Sequence, residues 1–507
     1  AHGVEDQPCV VGQVLDEGGR AVEARAVEER LVGEGFVAIP HRVPLIGGRK
    51  TADLVQQHAR GAPRRVALVE AERELDYAGL AAMMDRVARG LQRANVGPGR
   101  TVAICATASI EYAAVFLGVL QAGAAVAPLA TGTTAAALQA MLKDCDASLL
   151  FLDEAAAAVL DGPVFGAAAR GVAPALARIS LDGAAAGFAL QAWLAEPAGG
   201  SGRVPEPVQI APQAPFNIIY SSGTTGVPKG IVQSHAMRWA HVRRGASYGY
   251  SPQTVTLLST PLYSNTTLVV FVPTLAFGGT VVLMPKFDAA RYLALVERQR
   301  ATHTMLVPVQ YQRLLAHSEF GRHDLRSLQV KFATSAPFSA VLKAEVLDRW
   351  PGQLIEFYGM TEGGGTCILE AHTHPDKLHT VGRPAEGHDI RLIDESGAEV
   401  AAGAAGEVVG HSPGMMTGYH NQPEKTRETE WFDPGGKRFI RTGDIGRFDA
   451  QGFLTLIDRR KDLIISGGFN VYPSDLEAVL LEHPGVADVA VVGVPSKRWG
   501  ETPVAFV

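Results

Sequence analysis

The chain reads as an α/β protein built on parallel-type sheets covered by helices, and three observations carry that reading. Between residues 51 and 152, short apolar runs alternate with longer amphipathic or apolar stretches of helical character. The same alternation resumes between residues 255 and 357. Polar segments at 220–230, 334–337 and 358–362 each follow an apolar run directly, which is where open α/β sheets bind ligands.

Taken in order, residues 1–50 form an N-terminal extension with a short surface helix near 21–32 and an extended connection at 39–44, and no function attaches to them. The first α/β stretch has helices at 54–59, 77–94, 111–122 and 135–145, interleaved with strands at 66–70, 101–105, 125–129 and 148–152. Gly97-Pro98-Gly99 and Gly123 stop two of those helices. Residues 155–213 are rich in Ala, Gly and Pro and read as a variable connection. Strands follow at 255–259, 280–284, 304–307, 329–333 and 354–357, with a buried helix at 267–276 and another at 289–298. Shorter strands at 389–393, 406–409 and 453–457, with turns at Ser396-Gly397 and 450–452, indicate a small β-rich subdomain. The charged run 458–462 reads as a hinge, followed by a Gly467-Gly468 turn and a helix at 473–482. The expected division is therefore 1–50, 51–458 and 459–507.

Composition excludes several function classes. With 47% hydrophobic residues, 19% charged and a net charge of -6, the chain lacks the basic excess of a nucleic-acid-binding protein. Its four cysteines, Cys9, Cys105, Cys145 and Cys367, are scattered without metal-binding spacing, which fits a reducing cytoplasm. Two charge-free stretches, 112–132 and 267–284, are broken by Gly123 and Pro128 and by Pro273 and Gly278-Gly279, so each reads as a buried helix turning into a strand rather than a membrane span. No basic region followed by an apolar core opens the chain.

The segment 220–230, Tyr-Ser-Ser-Gly-Thr-Thr-Gly-Val-Pro-Lys-Gly, has the chemistry of a polyphosphate cradle. Glycines let the backbone approach an anion, hydroxyls and N–H groups donate to phosphate oxygens, and Lys229 adds a point charge. It is not the NTPase P-loop, because Lys229 follows Pro228 and precedes Gly230 instead of Ser or Thr.

Five stretches in this order, 220–230, 334–337, 358–362, 441–444 and 458–461, make the chain from about residue 51 onward resemble the acyl-adenylate-forming superfamily, in its acyl-CoA synthetase branch. The resemblance implies a large domain of two parallel-type sheets plus a small β-barrel-like subdomain, and a small α+β C-terminal lid. It implies ATP, Mg²⁺ and CoA as cofactors and a small carboxylic acid as substrate. Ser221, Ser222, Gly223, Thr224, Thr225, Gly226 and Lys229 would handle the β- and γ-phosphates of ATP. Ser335, Ala336, Pro337, Glu356, Phe357, Tyr358, Gly359 and Met360 would line the nucleotide site, with Tyr358 against adenine. Thr361 would contact the α-phosphate, and Thr225 and Glu362 the metal, with Lys229, Thr361 and Glu362 as the catalytic group. Asp444 would accept the ribose hydroxyls, Arg459 would make a second ribose or phosphate contact, and Lys461 would be the hinge. Ser466, Gly467 and Gly468 would line the pantetheine tunnel, and Tyr263, Asn265, Thr266, Val269, Thr334, Gly363 and Gly364 the acyl pocket. His235 is expected to be structural.

The implied reaction is attack of a carboxylate on the α-phosphorus of ATP, release of pyrophosphate, and displacement of AMP by a thiol. Two departures qualify it. The family's late catalytic lysine has no counterpart within these 507 residues, so slow adenylation with retained ATP binding is expected of them. Ser264 stands where many acyl-CoA synthetases carry histidine, which removes the basis for a gating role there. No acidic residue falls in 263–267, so an amino-acid substrate would leave its ammonium unpartnered. Gly363 to Gly365 are read as room for a long or flat acyl group; the residues do not decide between a fatty and an aryl acid, and a fatty acid is favoured with an aryl acid as the alternative. Loading of a carrier protein and a non-catalytic nucleotide- or acyl-binding role are the competing functions. The residues fix no oligomeric state, and a dimer stays open.

Overall fold

Short polar side chains set where the helices begin, by accepting backbone N–H groups that a first turn leaves unpaired. Asp76 accepts from Gly79 N at 2.7 Å and opens Tyr77–Arg93. Ser109, Thr134, Ser234 and Asp288 do the same for Ile110–Gln121, Ala135–Asp144, His235–Gly245 and Ala289–Gln299. Ser264 caps Asn265–Ala276 by accepting from Thr266 N at 3.3 Å, which gives that residue a structural reason to be there in place of histidine. The computed structural model describes residues 51–161, 176–185, 187–195, 204–221, 228–459, 464–466, 469–471, 473–481, 483–486, 488–496 and 500–507. The expectations for 21–32 and 39–44 lie outside them.

Two large sheets form. In the first, Val66–Glu70, Thr280–Leu283, Val255–Leu258, His303–Leu306, Val330–Ala333 and Gln353–Gly359 run parallel, with the antiparallel strand Thr366–Glu370 added beside Gln353–Gly359. In the second, Ala125–Pro128, Thr101–Cys105, Ala147–Leu152 and Arg178–Ser180 are parallel, and Pro215–Ser221 joins them before turning back antiparallel into Lys229–Ser234. The stretch 155–213, expected to be only a variable connection, thus supplies a strand of the second sheet. Its Trp193 fills the space above Gly90, where a Cβ would lie 2.5 Å from the indole.

Alternation along the strands sorts the core into layers. Leu68, Val281, Leu258, Phe332 and Ile355 of the first sheet and Val102, Ile104, Val126 and Phe216 of the second face one shared core, filled by Val87, Phe116, Leu117 and Phe271 from three helices. The opposite faces are covered separately. Val69, Leu257, Val282 and Leu354 pack with Tyr292, Tyr311 and Val346, and Ala103, Leu150 and Ile218 pack with Leu138 and Met141. The two charge-free stretches are accordingly the central helices Ile110–Gln121 and Asn265–Ala276, each leading into a strand. No helix of the described residues is long and apolar enough to cross a membrane.

A five-stranded antiparallel unit follows, from Asp389–Ile393, Gly406–His411, Arg438–Phe448, Glu430–Phe432 and Leu454–Arg459. Ile464–Ser466, Phe469–Val471, Ala490–Ser496 and Gly500–Phe506 form a separate four-stranded sheet with the helix Pro473–Leu481. Phe116 is 1% exposed, with its ring 6.0 Å from Phe216 and 6.3 Å from Phe271, so it links a strand of one sheet to the helix layer shared by both. Phe116→Ala should lower stability by about 3–5 kcal/mol. The check is the midpoint of denaturant unfolding followed by tryptophan fluorescence.

Candidate active site

The polar loop is held by sheet pairing at its two ends. Ser221 lies opposite Lys229 and Tyr220 opposite Gly230, so residues 222–228 connect adjacent antiparallel strands. The base is packed tightly: a Cβ on Gly230 would lie 2.9 Å from Ile218 Cγ2 and 3.1 Å from the Tyr220 ring. The Tyr220 hydroxyl donates to Asp144 at 2.6 Å. Ser222, Gly223, Thr224, Thr225 and Gly226 lie outside the described residues, as do Lys461, Gly467 and Gly468. Of Ser466 and Arg459 only the backbone is described, in strands; Arg459 pairs in register with Asp444.

Lys229 and Glu362 meet through a residue that the sequence gave no reason to single out. The short strand Gly418–Tyr419 pairs with Lys229–Ser234 and sets Tyr419 opposite Ile231. Lys229 Nζ stands 5.2 Å from the centroid of the Tyr419 ring, and the Tyr419 hydroxyl donates to Glu362 Oε1 at 2.8 Å. Burial, with the Glu362 carboxylate beside it, pushes the Tyr419 hydroxyl far above its usual pKa, so it remains a donor. Glu362 is itself buried.

A second pair joins the first sheet to the antiparallel unit. The Tyr358 hydroxyl donates to Asp444 Oδ2 at 2.7 Å, and Asp444 N donates to Thr442 Oγ1 at 3.0 Å across Gly443, whose φ is +76°. Ser335, just past the strand Val330–Ala333, has a φ of +78°, a conformation rare for a residue with a side chain and typical of sites where geometry matters more than local ease. Its hydroxyl is 2.5 Å from that of Thr266. Gln233 Nε2 donates to Thr361 O at 2.7 Å, while Gln233 Oε1 accepts from the fully buried Arg238, which also donates to Asn217 Oδ1 at 3.0 Å. His235 packs edge-to-face on Phe216, 5.1 Å between centroids, in keeping with a structural part.

A cavity of about 790 Å³ opens beside these groups. It collects Asn265, Thr266, Val269, Thr334, Ser335, Gly359, Met360, Thr361 and Gly363 from the expected set. Ala336 and Pro337 are exposed beyond Ser335 and do not line it. Several expectations change. Phe357 lines this cavity too, among residues expected at the nucleotide and residues expected at the acyl group. Glu356 lies on the opposite strand face, buried in an ion pair with Lys343 at 2.5 Å, so its side chain is spent on the fold. Tyr263 is absent from the cavity wall. Gly364 is also off the wall, and a Cβ there would lie 2.6 Å from Ile440 Cβ. At Gly363, with φ +73°, a Cβ would lie 2.0 Å from Gly414 O. The space over these glycines is therefore taken by the turn at Gly414 and by the strand carrying Ile440. Met237, His241, Arg244, Tyr248, Ile368 and His388 are also on the wall, and sequence reasoning missed them because they come from a helix, a strand and turns outside the recognised motifs.

The donor set suits Mg²⁺ of the kind shared with a nucleotide. Among the described residues no cluster of three or more His, Cys, Asp or Glu could cage a metal, and one buried carboxylate, Glu362, stands ready. That is the protein share expected where phosphate oxygens and water supply the rest.

A family model described as AMP-binding enzyme matches residues 55–420, and one described as AMP-binding enzyme C-terminal domain matches residues 475–507. The chain is 33% identical over 469 residues to an indoleacetate–CoA ligase of Aromatoleum aromaticum, covering 90% of this chain and 87% of that one. It is 32% identical over 460 residues to a feruloyl-CoA synthase of an Amycolatopsis species, covering 89% and 87%. Among solved structures, the amide bond synthetase McbA of Marinactinospora thermotolerans superposes with a TM-score of 0.76 at 30% identity, over 90% of this chain and 88% of that one.

Tyr419→Phe removes one hydroxyl and leaves a buried carboxylate short of a donor, which should lower stability by about 1–3 kcal/mol. Adding Glu362→Gln should recover part of that loss. A double-mutant cycle on unfolding free energies measures the coupling.

Proposed function

The chain belongs to the AMP-binding enzyme family, and from that premise we propose that it activates a compact acid, aryl rather than long-chain, for transfer to CoA. It is an AMP-forming acid–thiol ligase: ATP activates the acid as an acyl-adenylate with loss of pyrophosphate, and CoA then displaces AMP. The observation that carries the substrate reading is the cavity, walled by Phe357, Tyr248, Val269 and Ile368. The space expected at Gly363 and Gly364 is taken by Gly414 and Ile440, so the glycines favour neither a long nor a flat acyl group. Relatives named for indoleacetate and ferulate support the same direction, while others are named for medium- and long-chain fatty acids.

In this reading Asp444 accepts the ribose hydroxyls, held in orientation by the Tyr358 hydroxyl, and the Tyr358 ring faces adenine. The loop with Ser221 and Lys229 receives the β- and γ-phosphates, joined by the hydroxyls and backbone of 222–226. Thr361 is fixed by Gln233, which holds its carbonyl and leaves its hydroxyl for the α-phosphate. Glu362, with Thr225, would hold Mg²⁺, which when bound offsets the negative charge of the phosphates. The carboxylate oxygen attacks the α-phosphorus as the bond to the pyrophosphate oxygen breaks. These residues lower the barrier chiefly by preorganised electrostatics, since attacker and target repel each other. The thiol of CoA then adds to the acyl carbon and AMP leaves with the bonding electron pair. Arg459, the Lys461 hinge and the 466–468 tunnel are proposed for that second step. Cys105, Cys145 and Cys367 are free and buried, which fits a cytoplasmic location.

The test is to incubate the full-length protein with ATP, Mg²⁺, CoA and a panel of aryl and fatty acids, and to identify products by mass. Acyl-CoA and AMP with an aryl acid are expected; ADP in place of AMP would end this reading. Asp444→Ala should raise KM for ATP at least about tenfold, equivalent to about 1.4 kcal/mol. Pyrophosphate release against ATP concentration measures it.

A further inference from the structure

The cavity holds a cation that the reaction above does not use. Arg244 comes from the helix His235–Gly245 and lies on the cavity wall, its guanidinium 4.9 Å from the centroid of the Phe357 ring. Among the described residues no carboxylate pairs with it within 4.0 Å, and it lies against the Phe357 ring face. The two carboxylates on the same wall, Glu370 and Glu386, are exposed and neither reaches it. Its neighbour Arg238 shows the contrast. That guanidinium is fully buried, where Arg244 is half-buried, and it too lacks a carboxylate, but its donors are spent on Asn217 and Gln233. A guanidinium left with donors facing a cavity is a poor structural element and a good receptor for a planar anion.

Two imidazoles flank it in the donor form. His388 Nδ1 accepts from Thr366 N at 2.9 Å, which leaves the proton of the neutral ring on Nε2. His241 Nδ1 lies 3.5 Å from Arg238 Nη1, a group that only donates, so the same tautomer follows. Both rings line the cavity. Burial, aided by the positive charge of Arg244, holds His241 well below its usual pKa and His388 down to about 4, so both stay neutral near pH 7.

We propose that the acid carries a second carboxylate remote from the reacting one, received by Arg244 together with the Nε2–H groups of His241 and His388. The proposal rests on the ligase reading and names its substrate class: a compact, preferably aromatic, dicarboxylic acid. The reacting carboxylate would sit toward Thr361 and the second toward Arg244, with the carbon frame against Phe357 and Val269. An anion so placed supplies the counter-charge that the half-buried guanidinium lacks, and a monoacid of the same frame would leave that charge unpaired.

The test compares matched pairs, terephthalate with benzoate and adipate with hexanoate, by acid-dependent pyrophosphate release in the wild-type enzyme and in Arg244→Met. The diacid is expected to exceed its monoacid partner in kcat/KM by about a hundredfold in the wild type, and that ratio to fall by a similar factor in the variant, with partial return in Arg244→Lys. Because the ratio is taken within one protein, a loss of folded enzyme cancels from it. Monoacids used as well as diacids by the wild type, or an unchanged ratio in Arg244→Met, overturn the inference and leave the ligase reading standing. No acid-dependent pyrophosphate release with any acid overturns the ligase reading, and this inference with it.

Discussion

Backbone pairing of one strand on both of its edges is the constraint on which the site depends. Lys229–Ser234 bonds to Pro215–Ser221 on one side and to Gly418–Tyr419 on the other. The first pairing closes the polar loop and the second brings Tyr419 from far along the chain to stand between Lys229 and Glu362. A cationic and an anionic side chain are thereby kept close without collapsing into a direct ion pair, which would neutralise both before a polyphosphate arrived. An aromatic ring serves as spacer because its face attracts the ammonium and its hydroxyl holds the carboxylate.

How much of this was legible from sequence depended on the range of the interaction. Strands and helices of both α/β stretches follow from local periodicity, and the charge-free helices were recognisable as buried because glycine and proline interrupted them. The strand at Arg178–Ser180 was missed because its surroundings are rich in Ala, Gly and Pro and carry little periodic signal. Motif residues such as Thr361, Glu362 and Asp444 were readable because the chemistry demands those types at those spacings. Tyr419, Gln233 and Arg238 were not, since each acts across contacts that no local pattern encodes. The glycines at 363–365 illustrate the opposite error. A missing side chain was taken as empty space, whereas Gly414 O, Ile440 and Gly410 occupy it.

The buried charges divide by how they are satisfied, and that division separates scaffold from site. Lys343 is tied to Glu356 and to the carbonyls of Leu378 and Thr380, and Lys331 to the carbonyls of Pro351 and Gly352; both hold strands and helices in place. Arg238 is absorbed by two amides and through Gln233 fixes Thr361. Arg244, half-buried, differs in having an aromatic face and a cavity for company. Removing a charge from water without a partner is unfavourable, so such a group stands out against a fold that elsewhere satisfies its ions.

The account as a whole stands on one bond, between the carboxylate of the acid and the α-phosphorus of ATP. An acid labelled with heavy oxygen in its carboxylate tests that bond directly when the nucleotide product is read by mass spectrometry. If the carboxylate attacks the α-phosphorus, one labelled oxygen remains on phosphorus when the thiol displaces the nucleotide, so AMP carries the label. Label in inorganic phosphate, or unlabelled AMP formed alongside acyl-CoA, would contradict it.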